Sequence, residues 1–130
     1  MNPTEERGFF DRDFEYIYVP PGGQLTPNQV LNDQVAIDVD ADFFSAAWYQ
    51  NGDSVYEITV TDSDGSRFSN VPLQSGSIPI VISPQVFTPA HRFPAGGKIQ
   101  VNIRELAGAT SDLQIVFKGW KRFEKPVQQQ

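Results

Sequence analysis

Between Phe93 and Phe123, apolar residues fall on every second position. Ile99, Val101 and Ile103 alternate with Gln100, Asn102 and Arg104, and beyond a connection from Ala107 to Asp112 the pattern resumes at Leu113, Ile115 and Phe117. Successive side chains of a strand point to opposite faces, so a period of two gathers each trio on one buried face. The stretch reads as two half-buried antiparallel strands around a tight loop. A helix needs apolar spacings of three and four, and no stretch of the chain sustains them.

The same alternation recurs upstream. Phe14, Tyr16 and Tyr18 mark a first strand, stopped by Pro20-Pro21-Gly22-Gly23. Thr26-Pro27-Asn28-Gln29 has the form of a helix start, with a cap, a proline and a glutamine three on, but no helical pattern follows. Leu31, Val35, Ile37 and Val39 instead alternate, with Asp33 as the one defect, so residues 30–39 read as a strand. Asp42 to Gln50 is a mostly apolar run, and Tyr56, Ile58 and Val60 alternate up to an Asp62-Ser63-Asp64-Gly65 turn with its return at Arg67 to Asn70. Ile78, Ile80 and Ile82 mark a short strand that Pro79 assigns to an edge or bulge. Prolines 79, 84, 89 and 94 recur every five residues, and proline lacks the N–H of a central strand, so residues 83–96 read as a long stiffened crossing. The expected fold is all-β: a two-sheet β-sandwich of about eight strands with jelly-roll or Greek-key connections. Its expected limits are an N-terminal arm over 1–13, the sandwich over 14–123 and a flexible tail over 124–130.

A chain of 130 residues suits one domain with a core of its own. With no cysteine there are no disulfides, thiolate metal sites or cysteine nucleophiles. The polar start shows no signal peptide, and no stretch approaches the roughly 20 apolar residues of a membrane helix, so no membrane partner is expected. A net charge of −6 argues against a basic-patch nucleic-acid binder. The charge is also polarised. Residues 1–64 hold 13 acids and 2 bases, whereas residues 65–130 hold 3 acids and 8 bases. Either N- and C-terminal strands lie side by side and neutralise one another, or the polarity drives contact with other copies or a partner.

The candidate chemical groups each carry a bland alternative. Asp38, Asp40 and Asp42 would share one face of a strand, where their repulsion is relieved by a hard cation or by water and salt. Asp62 and Asp64 open like a calcium loop but lack the later bidentate acid, and no metal site or cofactor is expected. His91, the only histidine, has no nucleophile motif beside it and reads as a loop-packing or solvated residue. Gly96-Gly97 is a turn, with no following helix to receive a phosphate. Trp48, Tyr49 and Trp120 either form a sugar-stacking platform or belong to the core. Trp120 lies on the strand face opposite Leu113, Ile115 and Phe117, among Lys118, Lys121 and Arg122. Such an aromatic, cationic strand end docks on an acidic surface, unless both strand faces are buried. Phe9 and Phe10 either tuck into the domain or anchor on a neighbour. The residues expected to meet a partner are Phe9, Phe10, Arg12, Trp120, Lys121 and Arg122. No catalytic residue is expected.

The segments VDADFF (39–44), YEITVTDSDGSRFSNVPL (56–73), SPQVFTPAHRFPAGGKIQVNIREL (83–106) and DLQIVFKGWKRF (112–123) together resemble small jelly-roll virion proteins of tailed bacteriophages. The likeness spans roughly residues 38–123 and rests on short, hydrophobic motifs. It implies a non-enzymatic structural component of the particle: a capsid cement or decoration protein that bridges subunits of the major capsid protein. It also implies a homo-oligomer, dimer or trimer, assembled in the host cytoplasm and carried on the capsid surface. The alternative is a tail or head fibre domain that binds host-surface glycans.

Overall fold

The structure is a computed structural model that describes residues 8–69, 71–75 and 85–125. Nine strands are present among them: β1 (Phe9–Tyr18), β2 (Gln24–Leu25), β3 (Val30–Ala36), β4 (Asp42–Gly52), β5 (Tyr56–Asp62), β6 (Leu73–Gln74), β7 (Gln85–Phe93), β8 (Lys98–Glu105) and β9 (Ser111–Glu124). One sheet runs β1-β9-β4-β7, with β2 beside β9, and the other runs β3-β8-β5-β6. Every pairing is antiparallel. Leaving the short β2 aside, the first strand pairs with the last, the next with the one before it, and so on inward: β1 with β9, β3 with β8, β4 with β7, β5 with β6. One long hairpin wound around itself produces this nesting, which is the jelly roll.

The core lies between the sheets. Ile99, Val101 and Ile103 of β8 and Leu113, Ile115 and Phe117 of β9 join Tyr16, Tyr18, Phe43, Trp48, Tyr56, Ile58, Val60 and Phe93 in one buried cluster. The alternation therefore identified the buried faces correctly. The hairpin inferred from it does not form, because β8 and β9 belong to opposite sheets and meet face to face. A period of two reports which side of a strand is buried but carries no information about its neighbour. Glu105 fixes the arch between them. Its carboxylate accepts N–H bonds from Ala107 (2.8 Å) and Gly108 (2.8 Å) of the loop and from Asn28 (2.8 Å) of the facing turn.

Three further expectations are corrected. The proline-marked crossing holds β7, which pairs with β4 through Phe43↔Phe93, Phe44↔Arg92 and Ser45↔His91, then shifts register to Ala47↔Val86. An edge strand interrupted by a bulge has solvent-facing N–H positions, and Pro89 falls within that interruption. The arm expected over residues 1–13 is strand from Phe9 onward, paired Phe9↔Glu124 to Asp13↔Trp120. β3 ends at Ala36, before the expected limit at Val39. Thr26 to Gln29 forms a capped turn without a helix, with the Thr26 N–H donating to Gln29 Oε1 at 2.9 Å. The strand expected over 78–82 lies outside the described residues, as do residues 1–7 and 126–130.

Candidate interaction surface

Strand β9 lies at the centre of the first sheet, between β1 and β4, so residues from three strands form rows across its outer face. The rows are Asp11–Arg122–Asp42, Asp13–Trp120–Phe44, Glu15–Lys118–Ala47 and Ile17–Val116–Tyr49. The acidic N-terminal half and the basic C-terminal half thus become neighbours. Arg122 grips Asp11 through two bonds, 2.8 and 3.0 Å, and this pairing holds the Asp11 carboxyl below its ordinary range. Lys118 lies 3.9 Å from Glu15, Arg92 bonds Asp42 at 2.8 Å, and Arg104 bonds Glu57 at 2.7 Å on the other sheet. The charge polarity is answered within the chain, which is the first of the two readings open from sequence.

Lys121 separates from the other expected partner residues. It falls in phase with Leu113, Ile115 and Phe117, so β9 turns it inward, and its side chain is only 7% exposed. Its ammonium bonds Asp38 at 2.9 Å and Asp40 at 3.2 Å and lies 4.1 Å from the centre of the Phe14 ring. Burial pulls its pKa down, but the two carboxylates overcome this and hold it above the ordinary value. Its charge is therefore engaged inside the molecule. The repulsion anticipated among Asp38, Asp40 and Asp42 is relieved by Lys121 for the first two and by Arg92 and the Ala95 N–H for the third.

The remaining five cluster at one end of the sheet. The last rung that β4 contributes is Asp42↔Arg122, whereas β1 and β9 continue for two more rungs, Phe10↔Phe123 and Phe9↔Glu124. The ribbon closes with a bond of 2.9 Å from the Lys125 N–H to the Gly8 carbonyl. This two-stranded tip projects past its third strand and carries aromatic rings on both sides. Phe10 stacks on Phe123 at 5.2 Å, with the Arg12 guanidinium near both ring centres, at 5.7 and 5.9 Å. On the other side Arg122 lies 4.7 Å from the Phe44 ring centre and 5.9 Å from that of Phe9, and Trp120 stacks on Phe44 at 5.9 Å. Phe9 is 58% exposed and Phe10 36%. Trp120 is half-buried on the outer face, and its Nε1–H is buried with no hydrogen-bond partner among the described residues.

The other aromatic candidates are committed elsewhere. Trp48 is core, donating its indole N–H to Ser45 at 2.8 Å, and Tyr49 donates its hydroxyl to Glu15 at 3.1 Å. His91 sits in β7 with Nε2 2.6 Å from Asp62 of the opposite sheet, packed edge-on against Phe68 and Phe93. Sequence reasoning missed three elements: Phe44 and Phe123 as ring partners at the tip, the His91–Asp62 link and the Glu105 cage. Glu105 had a visible signal, since it continues the inward phase of Ile99, Val101 and Ile103. No protein-family model, curated protein or solved structure matches this chain.

Proposed function

We propose that this chain is a structural adhesive of a tailed-bacteriophage particle, a cement protein that bridges subunits of the major capsid protein on the outside of the head. The exposed tip supports this reading most directly. Phe9, Phe10 and Arg12 stand clear of the sandwich on a ribbon braced by Phe123 and Arg122. Stacking already restricts the Arg12 side chain, so it loses little further freedom on binding, and exposed rings beside a cation are the residue types that dominate protein interfaces. The resemblance over residues 38–123 gives the particle context. Repetition over a symmetric shell multiplies a modest contact into firm attachment. The glycan alternative has weaker support, because Trp48 is core and the Tyr49 hydroxyl is occupied.

Co-sedimentation with capsids assembled without this protein tests the proposal. Binding should saturate at a fixed ratio to shell subunits. Phe9→Ser with Arg12→Glu should weaken it by roughly tenfold to a hundredfold, the range of an interface anchor. The thermal midpoint of the free protein should barely move, because both side chains are exposed. Retention on host glycans without affinity for shells would replace this reading with receptor binding.

A further inference from the structure

Among the described residues, three long strands end their sheets: β1 and β7 in one, β3 in the other. Sheet edges expose unpaired backbone donors and acceptors, and proteins guard them with charge, proline or irregularity. β1 is guarded by Asp11, Asp13 and Glu15 on its outer face, and β7 by Pro89 and a broken register. The outer face of β3 has neither defence. Its pairing with β8 runs without interruption from Val30↔Arg104 to Ala36↔Lys98, and the side chains on its outer face are Val30, Asn32, Gln34 and Ala36. None of these is charged, and Val30 is 68% exposed.

The open groups of β3 can be assigned. The Glu105 N–H donates to the Gln29 carbonyl and the Ile37 N–H to the Gly97 carbonyl, so odd-numbered residues form the hydrogen-bonded pairs with β8. Antiparallel ladders alternate, so the N–H and C=O of Val30, Asn32, Gln34 and Ala36 point to the free side. A second β3 placed antiparallel, with a two-fold axis at Asp33, satisfies them. In that register Asn32 meets Gln34 and Val30 meets Ala36 as hydrogen-bonded pairs, while Leu31 meets Val35 between them. Apolar faces apolar and amide faces amide, the self-complementarity that an isologous contact requires.

We propose that β3 is the self-association edge of this chain and that two copies join through it into a dimer with one continuous sheet, β6-β5-β8-β3-β3-β8-β5-β6. The uncharged row Asn32–Asn102–Thr59 of one copy then runs into Gln34–Gln100–Thr61 of the other. Asp33 is the one mismatch. It meets its own copy at the axis, and in the single chain its carboxylate accepts the Gln34 N–H at 2.8 Å and the Tyr18 hydroxyl at 3.0 Å. Asp33 therefore weakens the contact by like-charge opposition and by occupying one of the edge donors, leaving a dimer in the micromolar range, in keeping with a small interface.

Sedimentation equilibrium of the full chain tests this without any capsid, so its outcome is separate from that of the adhesive reading. The wild type should show a monomer–dimer equilibrium. Asn32→Pro removes an N–H that points only to the free side, and Asn32→Lys with Gln34→Lys opposes lysines across the axis. Both should be monomeric with an unchanged far-ultraviolet spectrum, and the lysine pair decides if the proline variant does not fold. Asp33→Asn, which keeps an acceptor for Tyr18, should tighten the dimer several-fold. A wild type that stays monomeric throughout, a dimer indifferent to the lysine pair, or no tightening in Asp33→Asn overturns the proposal.

Discussion

Two ionisable residues sit at inward-facing positions of the β8 and β9 alternation, and each is accommodated by its own set of partners. Glu105 is 2% exposed, and its carboxylate collects N–H bonds from Asn28, Gly108, Ala109 and Ala107. The Asn28 bond does most to hold its pKa below the ordinary 4.5, with the loop N–H groups adding to it. A carboxyl with a depressed folded pKa is protonated more readily in the unfolded chain. Its contribution to stability is therefore complete above the unfolded value and is lost as pH falls through the folded one. Urea midpoints measured from pH 7 to pH 3 should show a decline beginning near 4.5 in the wild type. In Glu105→Gln the midpoint should start lower and decline less; an equally steep acid limb in the variant would remove Glu105 as its source. Lys121 differs in that Asp38 and Asp40 are more than half exposed, so only the cation is withdrawn from water. Asp33, the single defect in an apolar alternation, accepts the Tyr18 hydroxyl from the facing sheet and the neighbouring Gln34 N–H.

At the level of elements, β4 and β9 approach closely at Gly119. Gly119 pairs with Ser45, where the β4 register shifts, and with Phe14 on its other side. A Cβ there would fall into the Phe44 carbonyl, a backbone group that cannot swing aside. Gly119→Ala should therefore cost about 3 kcal/mol or more, at the severe end of overpacking, read as a lower urea midpoint or loss of soluble protein. A near-neutral result would mean that the bulge can relax. The sequence shows the glycine inside a strand, which marks a bulge or a close backbone approach without saying which. Trp120 follows directly, so the same region that brings β4 close to β9 stacks Phe44 on Trp120. Residues 1–13 read as an arm in the sequence because charged residues surround the Phe9-Phe10 pair. Those charges turn out to answer β9, as Asp11 does with Arg122.

For the whole molecule, the nesting of strands sets both stability and kinetics. Phe9 pairs with Glu124 at opposite ends of the described chain, so the outermost rungs close the longest loop. Loop closure must be met before those contacts stabilise anything, and topologies of this kind fold slowly. Stopped-flow refolding monitored by tryptophan fluorescence should give a main phase of roughly milliseconds to seconds; complete folding in microseconds would contradict this account. The strongly acidic first half and basic second half are brought together by the same closure, since Arg122 meets Asp11 and Lys121 meets Asp38 only once β9 is in place. Charge that looks like a dipole along the sequence is thus largely internal in the fold. The adhesive reading accordingly rests on the tip and the self-association proposal on β3, not on net charge.

From the amino-acid order alone came the all-strand character, the buried phase of most strands, the turn at Asp62 to Gly65 and the outward position of Trp120. All of these are local, because strand periodicity and turn chemistry are properties of a few adjacent residues. Which strand lies beside which was decided only in three dimensions: β8 and β9 part to opposite sheets, Lys121 finds Asp38 and Asp40, and Phe10 finds Phe123. Those outcomes depend on pairings between distant segments, and the free energy that selects them is shared over the whole core and is not carried by any one stretch.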